Sequence, residues 1–74
     1  MNLINYTDPK KLIKRINNGK ITKHIKFDNI ILELVPVLWN DTYCYSDKKN
    51  ENYINLDKNK KVTRFCIENC YLEL

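Results

Sequence analysis

Residues 20–39, KITKHIKFDNIILELVPVLW, contain the two segments that decide the fold. Residues 20–27 alternate apolar and polar side chains, which is the pattern of a strand with one buried face. Asp28 and Asn29 both tolerate a positive φ angle, so they predict a two-residue hairpin turn. The register predicted by that turn pairs Phe27 with Ile30, Ile25 with Leu32 and His24 with Glu33.

The second segment, residues 30–38, is apolar on both faces, so we expect a central strand that is covered on each side. Pro36 cannot donate a ladder hydrogen bond, so it marks either a bulge or the point where the strand leaves its pairing. If a helix covers one face of the sheet, the side chains on the other face are Ile31, Val35, Val37 and Trp39.

Upstream, residues 7–19 predict a short amphipathic helix. Asp8 is placed to cap its first turn, Pro9 suits the first helical position, and Gly19, the only glycine, can adopt the left-handed conformation that ends it. At 100° per residue the apolar side comprises Leu12, Ile13 and Ile16. The opposite, cationic arc comprises Lys10, Lys11, Lys14 and Arg15.

Downstream, alternation and turn residues predict three more strands, at residues 42–46, 53–56 and 61–67. We expect Asn59 to take the left-handed position in the loop before the last of these. Residues 70–74 fit a sixth strand or a frayed helical end equally well. The predicted fold is α+β in one domain, residues 1–74, with the N-terminal amphipathic helix packed on a five- or six-stranded, mainly antiparallel sheet or small open barrel.

The charge of the chain is unevenly placed. The formal net charge is +4, but residues 1–26 hold seven basic residues and one acidic residue, whereas residues 27–74 hold six and eight. A basic N-terminal third predicts a partner with negative charge, although a solvated lysine-rich face gives the same pattern. If the helix packs beside the first hairpin, its cationic arc forms one surface with Lys20 and Lys26.

Membrane insertion and export are not expected. No apolar run is long enough to cross a bilayer, and residues 1–6 lack the cationic start and apolar stretch of a secretory signal. The expected location is the cytoplasm, where the three cysteines are reduced and buried.

The residues that could carry chemistry are few. His24 with Cys44, Cys66 and Cys70 has the composition of a zinc site, but Cys66 and Cys70 are separated by three residues and not by the two of a tight knuckle. Ser46 is the only serine, and one glycine cannot build a phosphate-binding loop. We therefore expect no metal, no cofactor and no catalytic residues.

Two binding functions remain. The first is a non-catalytic protein that occludes a host protein or ribonucleoprotein complex, with Trp39 or the nearby Tyr43 and Tyr45 as apolar anchors. Trp39 fits equally well as the residue that closes one end of the core. An Asn-, Lys- and Ile-rich composition is typical of AT-rich codons. It fits a phage- or mobile-element-encoded inhibitor of a nucleic-acid-handling or defence complex, a role like that of an anti-CRISPR protein.

The alternative is a nucleic-acid-binding domain that uses the basic face and stacks bases on Tyr43, Tyr45 and Tyr53. The scarcity of arginine weakens it. The exposed apolar face also fits a homodimer seam. The predicted partner-binding residues are Lys10, Lys11, Lys14, Arg15, Lys20, Lys26, Trp39, Tyr43 and Tyr45.

Overall fold

The hairpin predicted from residues 20–39 forms with the expected register. In the computed structural model, which describes residues 3–74, Asp28 and Asn29 adopt φ angles of 48° and 64°. The pairs are His24↔Glu33, Ile25↔Leu32, Lys26↔Ile31 and Phe27↔Ile30. Residues 1 and 2, which belong to the segment predicted to lack an export signal, lie outside the described residues.

The described residues form one helix and seven strands. In chain order these are β1 (Asn5–Tyr6), α1 (Pro9–Asn17), β2 (His24–Phe27), β3 (Ile30–Val37), β4 (Thr42–Ser46), β5 (Tyr53–Leu56), β6 (Val62–Ile67) and β7 (Cys70–Glu73). The strands follow chain order across a single mixed sheet that curls into a half-barrel. β1 runs parallel to β2, and every later neighbour is antiparallel.

The α+β class and the mainly antiparallel sheet are as predicted, but the strand number is not. The expectation of five or six strands missed β1, because two residues are too short to show an alternating pattern. Of residues 70–74, which fit a strand or a frayed helical end equally well by sequence, Cys70–Glu73 form β7. The first predicted strand is shorter than expected, since the chain joins the ladder at His24 and not at Lys20.

Local chemistry explains the helix. Asp8 accepts a hydrogen bond from Lys10 N at 3.0 Å, which satisfies one of the free donors of the first turn. Gly19 has a φ angle of 89° and ends the helix as expected. The C-terminal end is fixed to β6, because Val62 N donates to Asn17 Oδ1 at 2.7 Å.

The core lies between α1 and one face of the sheet, which we call the concave face. Its two phenylalanine rings, Phe27 and Phe65, meet edge-on with centroids 5.2 Å apart. The buried residues are Leu12, Ile13, Ile16, Ile25, Phe27, Leu32, Tyr45, Ile54, Leu56, Val62, Phe65 and Ile67. By strand alternation, and for Val62 by its pairing with Leu56 beyond the register shift between β5 and β6, every buried strand residue points to the concave face. The opposite, convex face has no covering layer within residues 3–74.

Three details of the strands and loops differ from or refine the sequence predictions. β3 is not covered on both sides, since Ile31 on its convex face is 54% exposed. Pro36 marks the point where β3 has left β2. Leu34 N still donates to Lys23 O at 2.7 Å, whereas the Pro36 nitrogen points past the end of β2. The left-handed loop residue is Lys60, with φ 60°, and not Asn59.

Within residues 3–74, no helix is both long and apolar enough to span a membrane. α1, the helix that these residues form, has nine residues.

Candidate partner-binding surface

The turn between β3 and β4 holds two large apolar side chains away from the core. Leu38 and Trp39, which we call the apolar tip, are 83% and 87% exposed. The turn is closed by its polar residues, because Asn40 Oδ1 accepts hydrogen bonds from Thr42 N at 3.3 Å and Thr42 Oγ1 at 2.6 Å. Asp41 adopts the left-handed conformation, with φ 57°. Neither apolar side chain is needed to close the turn, and Trp39 does not close the core.

A second turn, residues 57–61 between β5 and β6, lies at the same end of the sheet, since alternate turns of an antiparallel meander share an end. Asp57 Oδ1 organises it by accepting from Asn59 N at 2.8 Å and Lys61 N at 3.0 Å. Its Lys60 ammonium lies 5.6 Å from the ring centroid of Tyr43, which is 40% exposed. Tyr43 therefore belongs to an accessible surface, and a cation lies against its ring.

The other tyrosines have different environments. Tyr45 is fully buried, and its hydroxyl donates to Thr22 O at 2.6 Å and accepts from Thr22 N at 3.2 Å. Burial raises the pKa of Tyr45, which keeps the hydroxyl protonated as a donor. We therefore remove Tyr45 from the candidate surface: it attaches the segment before β2 to the core.

Tyr53 lies on the other side of the sheet. It pairs with Ser46 and Cys66, whose side chains point to the convex face, whereas Tyr43 and Tyr45 point to the concave side. The three tyrosines thus do not form the continuous stacking platform that the nucleic-acid interpretation predicted.

The cationic arc of α1 faces solvent. Lys10, Lys11 and Lys14 are exposed, and none of them forms an ion pair with any residue in the described part of the chain. Arg15 is half-buried, with its guanidinium carbon 5.9 Å from the centroid of the Tyr6 ring. The three lysines form an open basic surface, which we call the helix basic face, while Arg15 also packs against β1.

The fold distributes the two other predicted cations to different places. Lys20 is exposed and follows the end of α1. Lys26 pairs with Ile31 across β2 and β3, so its side chain points to the convex face, away from α1. The sheet therefore separates Lys26 from the helix basic face, and the six predicted basic residues do not form one surface.

The convex face carries partly exposed apolar and charged groups. Its apolar side chains on β3 are Ile31, Val35 and Val37. Next to Ile31, Glu33 Oε2 lies 3.9 Å from Lys23 Nζ and 3.7 Å from His24 Nε2. The Lys23 side chain is 74% exposed and the other two are about half exposed, so they form a solvated charge cluster whose net contribution to stability is small.

The thiols show no arrangement for chemistry. Cys44, Cys66 and Cys70 are unpaired and half-buried, and burial raises the pKa of the Cys44 thiol, which disfavours the thiolate. In residues 3–74, no three His, Cys, Asp or Glu side chains are grouped so as to hold a metal ion. Ser46 Oγ lies 2.8 Å from Asn50 Oδ1 and 3.2 Å from Asp47 O, which are contacts of a loop and not of an activated nucleophile.

The sequence patterns missed Leu38 and Lys60. The apolar pattern places Leu38 at the end of a strand, although the polar Asn40 and Asp41 that follow it indicate that residues 38 and 39 begin the turn. Nothing in the sequence indicates that the Lys60 ammonium lies over the Tyr43 ring.

No family model, no curated protein and no solved structure matches this chain.

Proposed function

We propose that this chain is a small, non-catalytic binding protein that acts by occupying a surface of its partner. The observation that carries the proposal is the apolar tip: Leu38 and Trp39 are adjacent, 83% and 87% exposed, and dispensable for closing their turn. Exposing two large apolar side chains at one point is unfavourable in water unless a partner covers them. Trp is also among the residues that dominate the energy of protein interfaces.

The charges suggest the electrostatic character of the partner. Lys60 lies against Tyr43 at the same end of the sheet as the apolar tip, and residues 1–26 carry seven basic residues and one acidic residue. The positive electrostatic field of these basic residues accelerates association with an acidic protein or ribonucleoprotein surface. The proposed partner is a nucleic-acid-handling or defence complex of a host cell, which the chain inhibits stoichiometrically in the cytoplasm. A short chain of AT-rich codon bias fits a phage or mobile-element origin.

Affinity capture from host lysate tests this proposal with a matched pair of variants. Trp39→Ala removes the anchor, whereas Ile4→Ala removes another exposed apolar side chain, 63% accessible, that lies beside β1. We expect wild type and Ile4→Ala to retain one partner complex at a fixed stoichiometry and Trp39→Ala to lose it. Purified partner should then shift the emission of Trp39, the only tryptophan, to shorter wavelength as the ring leaves water.

Two results count against the proposal. Retention of the same partner by a folded Trp39→Ala variant shows that the apolar tip is not the anchor. Turnover of any substrate by the purified chain, lost on changing His24 or one cysteine, shows that the chain is an enzyme.

A second candidate function, direct nucleic-acid binding, is favoured by the helix basic face. Lys10, Lys11 and Lys14 are exposed and have no acidic partner among residues 3–74, so they are available to phosphates. Each phosphate contact steepens the fall of affinity with salt by about 0.9 on a log–log plot for duplex DNA.

The salt dependence of binding to bare RNA or DNA tests this alternative. The double variant Lys10→Glu, Lys11→Glu should reduce both the affinity for nucleic acid and the steepness of its fall with salt. The control double variant Lys48→Glu, Lys49→Glu makes the same change of charge in the loop after β4. Equal effects of the two double variants indicate a non-specific response to net charge. Capture of the partner complex that survives nuclease treatment favours the protein-binding function.

A further inference from the structure

The two edges of the sheet are protected to different degrees. β1 has two residues, and the Asn5 side chain is engaged with Asn29, whose backbone N donates to Asn5 Oδ1 at 2.9 Å. β7 has four residues, and α1 packs mainly against β1 and β6. A free strand edge offers unpaired backbone groups to another strand. The β7 edge is therefore the more competent of the two for pairing.

The ladder between β6 and β7 identifies which backbone groups are free. Leu74 N donates to Thr63 O at 2.9 Å, so the backbone of Leu74 points towards β6. By alternation, Leu72 also points inward, while the N–H and C=O groups of Tyr71 and Glu73 point to the open edge. No hydrogen bond outside the sheet ladders engages these four groups in the described residues.

We propose that β7 pairs antiparallel with β7 of a second copy of this chain, centred on Leu72. In this register Tyr71 lies opposite Glu73 of the second copy, so all four free groups on each chain are used. Centring on Glu73 places two carboxylates opposite each other, which is unfavourable. Centring on Tyr71 brings Glu73 opposite Asn69, a residue of the β6–β7 turn.

The side chains of β7 are self-complementary in this register. On the convex side, Glu73 Oε1 already accepts from Arg64 Nη2 at 2.6 Å and from the Tyr71 hydroxyl of its own chain at 3.4 Å, and the opposing Tyr71 brings a second phenolic group beside it. On the concave side, the two Leu72 side chains meet, and Leu74, 65% exposed, lies opposite Cys70. Pairing therefore covers apolar surface on one side and brings no like charges together on the other. The result is a continuous sheet of fourteen strands, twice the seven of one chain.

The first test is the oligomeric state of a matched pair of variants, measured by sedimentation over a concentration series. Glu73→Pro removes a donor that points to the open edge and leaves the ladder to β6 intact, whereas Glu73→Ala removes the same side chain but keeps the donor. We expect wild type and Glu73→Ala to reach twice the chain mass of 8.9 kDa. Glu73→Pro should remain at the chain mass.

The second test determines the register, and it does not depend on the proline variant folding. In a background with Cys44→Ser and Cys66→Ser, Leu74→Cys places a thiol opposite Cys70 of the second copy, at a non-hydrogen-bonded position where the side chains approach closely. Oxidation with diamide should link the two chains. An intrachain bridge is excluded, since residues 70 and 74 are about 13 Å apart along one strand. Glu73→Cys in the same background has the same thiol count and should not form the crosslink.

A wild-type chain that stays at the monomer mass at every concentration overturns the proposal. So does a dimer that persists in folded Glu73→Pro, or one that crosslinks through Glu73→Cys as readily as through Leu74→Cys, because either result assigns the interface to another surface. The apolar tip belongs to the β3–β4 turn, so loss of this dimer leaves the proposed capture of a host complex unaffected.

Discussion

The concave and convex faces of the sheet have the same backbone but opposite environments. The concave face contributes nine of the twelve buried residues, and α1 contributes the other three. No residue on the convex face of a strand is fully buried, and Ile31 and Tyr71 there are 54% and 55% exposed. One short helix covers one face, and the described chain has nothing to cover the other.

This difference separates residues that hold the fold from residues that are available to partners. A small chain has a small net stability, so the free energy lost when one well-packed side chain is removed is a large fraction of it. Residues on the convex face and in the turns can be replaced without losing so much of the free energy of unfolding. The proposed anchor and the proposed pairing edge both lie outside the core for this reason.

The sharpest test of the comparison uses two isoleucines on opposite faces. Ile54 is fully buried between Tyr45 and Phe65, whereas Ile31 lies opposite Lys26 on the convex face. Ile54→Ala should lower the free energy of unfolding by about 2 to 5 kcal/mol, because the cavity is only partly filled by relaxation. Ile31→Ala should cost about 0.5 to 1 kcal/mol. Urea denaturation measures both, and equal losses contradict the assignment of the two faces.

The next effect concerns the hydrogen bonds made by Tyr45. Tyr45→Phe keeps the ring in the core and leaves the Thr22 N–H and C=O without their phenolic partner, so we expect a loss of about 1 to 3 kcal/mol. Burial raises the pKa of Tyr45 above its ordinary 10.0, so the contribution of the protonated hydroxyl is full below about pH 10 and is lost as the pH rises through the raised value.

The stability difference between wild type and Tyr45→Phe should therefore be constant near neutral pH and shrink under alkaline conditions. Urea denaturation at several pH values measures it. A difference that grows with pH contradicts the protonated, hydrogen-bonded hydroxyl.

A smaller effect is expected at the start of α1, the helix that makes one face different from the other. Asp8→Ala removes the oxygen that accepts from Lys10 N and should cost about 1 kcal/mol. Asp8→Asn keeps an acceptor at the same position and is the matched control, with a loss of no more than a few tenths of that amount. If Asp8→Asn costs as much as Asp8→Ala, the carboxylate charge matters and the cap does not.

The elements that sequence could predict are those set by local chemistry. The register of the first hairpin follows from two turn residues that tolerate positive φ, and both adopt it. The ends of the helix follow from Asp8, Pro9 and Gly19. In each case a few neighbouring residues determine the geometry, so no knowledge of the rest of the chain is needed.

The placement of the site residues depends on contacts between distant segments, which local patterns do not contain. Alternation correctly puts Tyr43 and Tyr45 on one face, yet Tyr45 is buried beneath Thr22 and Tyr43 is 40% exposed at the rim. The grouping of Lys26 with the helix lysines requires α1 to pack beside the first hairpin, whereas α1 packs on the concave face and Lys26 points to the convex face. The sequence fits Trp39 to the core or to an interface equally well, and only the position of its turn decides between them.

The smallest stability effect, and the one most informative about function, is expected at Trp39. Trp39→Ala should change the free energy of unfolding by less than about 0.5 kcal/mol, because an 87% exposed ring has little surface buried on folding. Circular dichroism during urea denaturation measures this without relying on the ring that is removed. A loss as large as that of a core residue means that the ring is packed in solution. A negligible loss means that any failure of Trp39→Ala to bind the partner complex reflects the missing contact and not a damaged fold.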